Sequence, residues 1–355
     1  MDKMFLKKKN TSKEFFVLIS LLKNESVQPY NVNFYDLVSL SVEHRVFFIL
    51  YDDFIKLAED DSEKLDFLQK IRKKLLYKAF RNLSALIDVI KVLHDNKIEF
   101  LIFKGIILSK ILYGDFYNRG SIDIDIIVLN EKEIFKIIDI LKKRNFFLKN
   151  NKVLKNKLFK YFYLKAKNSI QLFSKQYNVS IDLHYRLFGN RIFTANIYKT
   201  FVNNKSSFDL FGYKVQTLSA EYHFLFTCVH SSIHCFKRLL WIYDVYMFIK
   251  KNNIDFFKVY EIAKQYKLEN HFINTMFICH KLFEIDNIEF LEKKIKRVAN
   301  VTFNKLPGFL NDEDSFNNRF FKFFYKLRLS GSSIESIDII LSLILRVLLK
   351  IFSVL

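Results

Sequence analysis

Residues 122–128 read Ile-Asp-Ile-Asp-Ile-Ile-Val, and few local patterns leave a chain so little freedom. The β-branched isoleucines favour an extended backbone. In a strand, successive side chains point to opposite faces, so Asp123 and Asp125 share one face and Ile122, Ile124 and Ile126 share the other. The isoleucine face can be buried. On the other face two neighbouring carboxylates repel each other unless a cation neutralises them. The segment therefore calls for a sheet with one apolar face and a candidate metal site on the opposite one.

A third acid shows the same alternation. Asp182 stands between Ile181 and Leu183 in the predicted strand Val179–Tyr185, and His184, two residues on, shares its face. If this strand pairs beside Ile122–Val128, Asp182 meets Asp123 and Asp125. Three carboxylates on adjacent strands can hold two Mg²⁺ ions, which clamp a triphosphate and activate an attacking oxygen for in-line displacement.

Upstream, Ile98–Phe103 predicts a strand and Lys104-Gly105 a turn into a helix ending near Tyr113. Glycine lets the backbone approach phosphates, and a helix N-terminus offers free amide N–H groups to an anion. Lys104 adds a point charge, and Arg119, in the polar loop Gly114–Gly120, adds a fork suited to phosphate.

The rest of the chain frames this core. Apolar residues recur at helical steps through Val46–Ile55 and Leu65–Leu93, and Glu131–Arg144 predicts a further helix. Strands are expected at Tyr161–Lys165, Ile170–Phe173 and Tyr213–Thr217, and helices from Ser219 onward. Only 7 Gly and 2 Pro in 355 residues fit long helices and few tight turns. The expected fold class is α+β: a small mixed β-sheet flanked by N-terminal and C-terminal helical regions. The expected organisation is a helical N-terminal region over 1–95, a core over 96–217, a helical domain closing the cleft over 218–310 and a tail over 311–355.

A net charge of +20 suits a polyanionic partner: nucleotide, nucleic acid or an anionic membrane surface. Lysine-rich coding alone produces the same excess. Cys228, Cys235 and Cys279 form no metal-binding spacing and read as reduced, buried residues of a cytoplasmic protein. The apolar patch Phe15–Leu22 reads as a surface helix and not a signal peptide. Asp338, Ser342, Arg346 and Lys350 form one polar stripe along 337–355, an amphipathic helix that packs on the protein or makes peripheral contact with the inner face of a membrane. His230 and His234 stand one helical turn apart, as zinc ligands often do, but Ser231 occupies the place of the glutamate of a metalloprotease motif.

Taken in order, these segments resemble the uncharacterised nucleotidyltransferase family of bacteria, within the DNA polymerase β-like superfamily. Ala79–Asn82 (AFRN), Phe103–Gly105 (FKG), Tyr113, Arg119, Asp123–Asp125 (DID), Asp182-Leu183-His184 and the helical stretch Leu218–Val245 carry the resemblance, over roughly 78–250. It implies a mixed-sheet nucleotidyltransferase core that binds Mg²⁺ and a nucleoside triphosphate such as ATP, and transfers a nucleoside monophosphate to an acceptor. Asp123, Asp125 and Asp182 are its implied metal ligands and catalytic residues. Lys104, Gly105, Arg119 and His184 are the expected nucleotide- and phosphate-binding residues, and His230, His234, Arg238 and Asp244 candidate cleft residues. The acceptor is a sugar or sugar phosphate, a protein side chain or an RNA end, with surface-polysaccharide synthesis one setting. One departure stands out. The superfamily's usual turn is Gly-Ser or Gly-Gly a good number of residues before the first acid, whereas Gly105 is followed by Ile106 and lies 18 positions before Asp123, and the adjacent pair Gly120-Ser121 is too close to Asp123 to serve as that turn. That departure motivates the alternatives: a catalytically inactive nucleotide-binding scaffold on the same fold, or a tRNA-modifying toxin-type nucleotidyltransferase.

Overall fold

The computed structural model describes residues 13–25, 32–150, 157–188, 194–251 and 254–286, with isolated positions 325, 327, 329 and 340. In chain order the elements are helices α1 (Lys13–Leu22), α2 (Phe34–Glu43), α3 (Tyr51–Leu57) and α4 (Ser62–Asp95), strand β1 (Phe100–Ile102), α5 (Gly105–Tyr113) and β2 (Asp123–Val128). A 3₁₀ turn at Glu131–Glu133 leads into α6 (Ile134–Lys142), then β3 (Phe146–Leu148), α7 (Lys157–Ala166), β4 (Ser169–Ser174), β5 (Val179–His184) and α8 (Thr194–Asn203). Strands β6 (Lys205–Leu210) and β7 (Tyr213–Leu218) follow, then helices α9 (Ala220–Ile233), α10 (Leu239–Lys251), α11 (Phe256–Gln265) and α12 (Glu269–Phe283). The protein is α+β.

The chain divides into two compact units. One comprises Tyr77–Tyr117, Ser121–Tyr222 and Ser332–Leu355 and holds the whole sheet. Its seven strands run in the order β3-β4-β5-β2-β1-β7-β6. The pairs β2–β5 and β1–β7 are parallel and the others antiparallel. One face is the core. Ile124, Ile126 and Val128 of β2 and Val179, Ile181 and Leu183 of β5 pack there with Leu86, Val89, Ile90 and Leu93 of α4 and Ile134, Ile137, Ile138 and Leu141 of α6. Each such fully buried side chain contributes roughly 1.5–3 kcal/mol. Ile122 does not join them. It lies one residue before β2 and is 48% exposed.

Several boundaries follow the sequence closely, including α5 over Gly105–Tyr113 and the strands at β2, β4, β5 and β7. The expected strand at Tyr161–Lys165 is instead part of α7. Its run of aromatics lacks a turn signal, and helix spacing across Lys157–Ala166 prevails over aromatic β-propensity. Strands β3 and β6 and helix α8 were not expected. β6 is a polar, largely exposed edge strand, with no burial alternation to reveal it. It pairs with β7 through the two-residue turn Phe211-Gly212, where both residues have positive φ, 53° and 83°, as a tight hairpin of this kind requires.

The other unit comprises Met1–Leu76, Asn118–Gly120 and His223–Gly331 and is helical in its described parts. The apolar patch at the N-terminus forms α1, with Phe15, Leu18, Ile19, Leu21 and Leu22 buried. All three cysteines are buried, and none is in a disulfide. Burial pushes the Cys228 and Cys279 thiols up, which makes them poor nucleophiles. Among the described residues no helix is long and apolar enough to cross a membrane. The stripe expected along 337–355 lies outside the described residues; within that range only Ile340 is described, a helical, exposed position.

Candidate functional site

The site is built on the face of β2 and β5 opposite the core. Pairing in parallel sets Asp123 against Ser180, Asp125 against Asp182 and Ile127 against His184. Because side chains alternate, Asp123 and Asp125 share this face with Ser180, Asp182 and His184. Ligand atoms of Asp125, Asp182 and His184 all lie within 4.8 Å of one another, the only such group of three found among the described residues. Asp123 shares the face but lies outside that group, half-buried at the start of β2. Its carbonyl oxygen accepts a hydrogen bond from the Ser121 hydroxyl at 2.7 Å.

Asp125 is buried on a central strand and its charge is met from two sides. Lys104 Nζ lies 3.2 Å and His184 Nε2 2.8 Å from the same oxygen, Oδ1. Burial alone would raise this carboxyl. The Lys104 ammonium and the His184 hydrogen bond outweigh it and hold Asp125 well below the usual carboxylate range. Asp182 goes the other way. Burial and the charge of Asp125 raise it, partly offset by His184, a hydrogen bond from Gln171 and Lys104. Its Oδ1 is buried with no hydrogen-bond partner. A buried carboxylate oxygen left bare beside a second carboxylate and an imidazole is the arrangement that a divalent cation satisfies, so these residues fit a metal.

Lys104 thus sits on the carboxylate pair, where sequence reasoning placed it toward phosphate. It precedes α5 in extended geometry, and Gly105 follows with φ of +52°. A Cβ at Gly105 would lie 2.7 Å from Ser121 Oγ. The turn and the segment before β2 are therefore in close contact, although 16 positions separate them in sequence (121 − 105). Asn82 of α4 anchors the same segment by donating from Nδ2 to the Ser121 carbonyl at 3.0 Å. Phe103 is a further site residue that sequence reasoning did not single out. Fully buried, it meets the His184 ring edge to face at 5.2 Å, and the Lys104 ammonium lies 4.8 Å from its ring centroid. Only its place directly before Lys104-Gly105 hinted at this.

A cavity of about 260 Å³ opens on the β3–β4 side of Asp182, lined by Lys149, Asn150, Tyr163, Lys167 and Gln171 with Leu148 and Ile170. Gln171 stands opposite Asp182 in register and hydrogen-bonds it. The Tyr163 phenol is pushed up by burial and by the charge of Asp182.

The remaining candidates fall in the helical unit. Arg119 Nε donates to Asp244 Oδ2 at 2.8 Å, and both side chains are buried. Arg238 pairs with Glu43 at 3.2 Å. His230 and His234 form an aromatic cluster with Trp241, at 5.1 and 5.3 Å between ring centroids, with Phe226 stacked on His230.

A model of a family described as an uncharacterised nucleotidyltransferase matches residues 31–284, more than two thirds of the chain. No curated protein matches the chain, and no solved structure does.

Proposed function

The chain belongs to the uncharacterised nucleotidyltransferase family, and on that premise we propose that it transfers a nucleoside monophosphate from a nucleoside triphosphate to an acceptor, on a DNA polymerase β-like core. The observation that carries this reading is the in-register pair Asp125 and Asp182, one of them with a bare buried oxygen and both within ligating reach of His184. Asp125 and Asp182, with Asp123 on the same face, are the residues to hold divalent cations, Mg²⁺ being the ordinary companion of a triphosphate. When bound, such a cation neutralises phosphate oxygens and stabilises the charge of the displacement.

The protein's own residues supply the rest. Gly105 opens α5 and lets its first amides approach a phosphate, with Lys104 beside them. The cavity beside Asp182 is where an acceptor would lie, and Lys149 and Lys167 suit one that carries negative charge, such as a sugar phosphate.

The test is to incubate the purified full chain with each labelled triphosphate, a divalent cation and a cell extract as acceptor source. Pyrophosphate release that disappears in Asp125→Asn and Asp182→Asn supports the reading. Release that persists in both overturns it.

A second reading, a nucleotide-binding scaffold without turnover, has one observation in its favour. The Lys104 ammonium already neutralises Asp125. It is distinguished by nucleotide binding in calorimetry with no pyrophosphate released from any triphosphate.

A further inference from the structure

The metal-competent group consists of two carboxylates and an imidazole, and its composition determines which cations it prefers. His184 follows Asp182 by two positions on β5, so it presents its ring on the face of the carboxylates. The residue is 3% exposed, and its ring meets Phe103 edge to face at 5.2 Å. Nε2 points at Asp125 Oδ1, 2.8 Å away, and the ligand atoms of Asp125, Asp182 and His184 all lie within 4.8 Å of one another. The Asn168 side-chain amide meets the other nitrogen, Nδ1, at 3.5 Å. The structure sets Asn168 Nδ2 toward Nδ1, which suits an Nε2–H donating to Asp125. A cation takes the other tautomer, in which the amide, rotated to present its oxygen, accepts a hydrogen bond from Nδ1–H and the Nε2 lone pair faces the cation, the support that metal-bound histidines ordinarily have.

Mg²⁺ is a hard ion that takes oxygen donors and keeps much of its water. An imidazole nitrogen adds little for it. First-row transition dications accept imidazole readily, with affinities that exceed those of alkaline-earth ions at nitrogen-containing sites. The Oδ1 of Asp182 is buried with no hydrogen-bond partner, and the His184 imidazole lies within ligating reach of the same position.

We propose that Asp125, Asp182 and His184 form a mixed nitrogen–oxygen site for a first-row transition dication of the Mn²⁺ class, with His184 Nε2 the ligand that sets its preference over Mg²⁺. The inference rests on the metal reading above but not on turnover. A protein that binds a nucleotide without reacting would carry the same preference.

The experiment uses the full-length protein and Mn²⁺ itself as probe. Electron paramagnetic resonance follows the loss of the free Mn²⁺ signal on titration, and Mg²⁺ is added as competitor. Pulsed measurements on the bound ion read ¹⁴N coupling. The expected result is Mn²⁺ binding about tenfold or more tighter than Mg²⁺, with ¹⁴N coupling present, on the scale at which metal-site partners act. His184→Ala should abolish the coupling and lower Mn²⁺ affinity about tenfold or more while changing Mg²⁺ affinity much less. Absence of ¹⁴N coupling in the unaltered protein overturns the proposal without recourse to any variant. So does an equal loss of Mn²⁺ and Mg²⁺ affinity in His184→Ala with its circular dichroism unchanged. Nitrogen-coupled Mn²⁺ without pyrophosphate release would leave this inference standing and remove the catalytic reading; Mg²⁺-supported release without nitrogen coupling would do the reverse.

Discussion

Asp125 and Asp182 face each other in register across two parallel strands, yet the protein treats them differently. Lys104 and His184 meet the charge of Asp125 directly, whereas Asp182 keeps one buried oxygen with no hydrogen-bond partner. The pair is half neutralised, and Gln171, which hydrogen-bonds the unneutralised half, lines a cavity.

That imbalance makes Asp182 a cost to the metal-free fold. Burial and the Asp125 charge both disfavour its ionised form. Asp182→Asn, a neutral residue of the same shape, is expected to raise the melting temperature of the metal-free protein by about 2–4 °C for each kcal/mol relieved. It should also remove the stabilisation that divalent cations confer. Differential scanning calorimetry with and without Mn²⁺ checks both, and a lower melting temperature in the metal-free variant would contradict the account.

Lys104→Met should have the opposite effect. It strips the ammonium from a buried carboxylate, and breaking such a pair from one side costs about 3 kcal/mol or more. A divalent cation then has more charge to neutralise, so the thermal shift on adding Mn²⁺ should be larger in the variant than in the unaltered protein. Equal shifts would show that Lys104 and the cation do not share Asp125.

Gly105→Ala meets two obstacles, a φ of +52° and a contact at 2.7 Å with Ser121 Oγ. It should destabilise by more than about 1 kcal/mol. In a Ser121→Ala background the contact disappears and the backbone strain remains, so the cost should fall without vanishing. Urea unfolding of the four proteins of this cycle gives the coupling; identical costs in both backgrounds would remove Ser121 from the turn.

His44 predicts an acid limit for the helical unit. It is fully buried, with Nδ1 accepting from the Leu239 amide at 3.3 Å. Burial, with the charge of Arg238, lowers it from 6.5 to about 4. Below the ordinary histidine value the unfolded chain takes up a proton that the folded one refuses, so stability present above pH 6.5 is lost as pH falls toward 4. The loss amounts to about 3 kcal/mol at most. Chemical denaturation across this window should show the slope in the unaltered protein and a flatter one in His44→Gln.

Local pattern revealed those elements whose burial alternates cleanly. The strands β2 and β5 and the helix after Gly105 are examples, because Ile124, Ile126, Ile181 and Leu183 repeat at period two and the glycine marks the helix start. The edge strand β6 has no buried face to pattern it, and β3 is only three residues long. The aromatic run in α7 satisfies strand preferences locally, and the helical spacing that prevails shows only over the whole of Lys157–Ala166.

By itself the sequence determined which side chains share a face: Asp123 with Asp125, and Asp182 with His184. That follows from the two-residue period of an extended chain, whatever the strand's neighbours are. Only the tertiary structure decided which residues meet. The parallel register sets Asp125 against Asp182, the turn lays Lys104 on Asp125, and Arg119 closes on Asp244. These contacts join residues 21 to 125 positions apart. No local periodicity encodes them; they come from the burial of one continuous apolar face of the sheet and, in the helical unit, from the need to pair a buried charge.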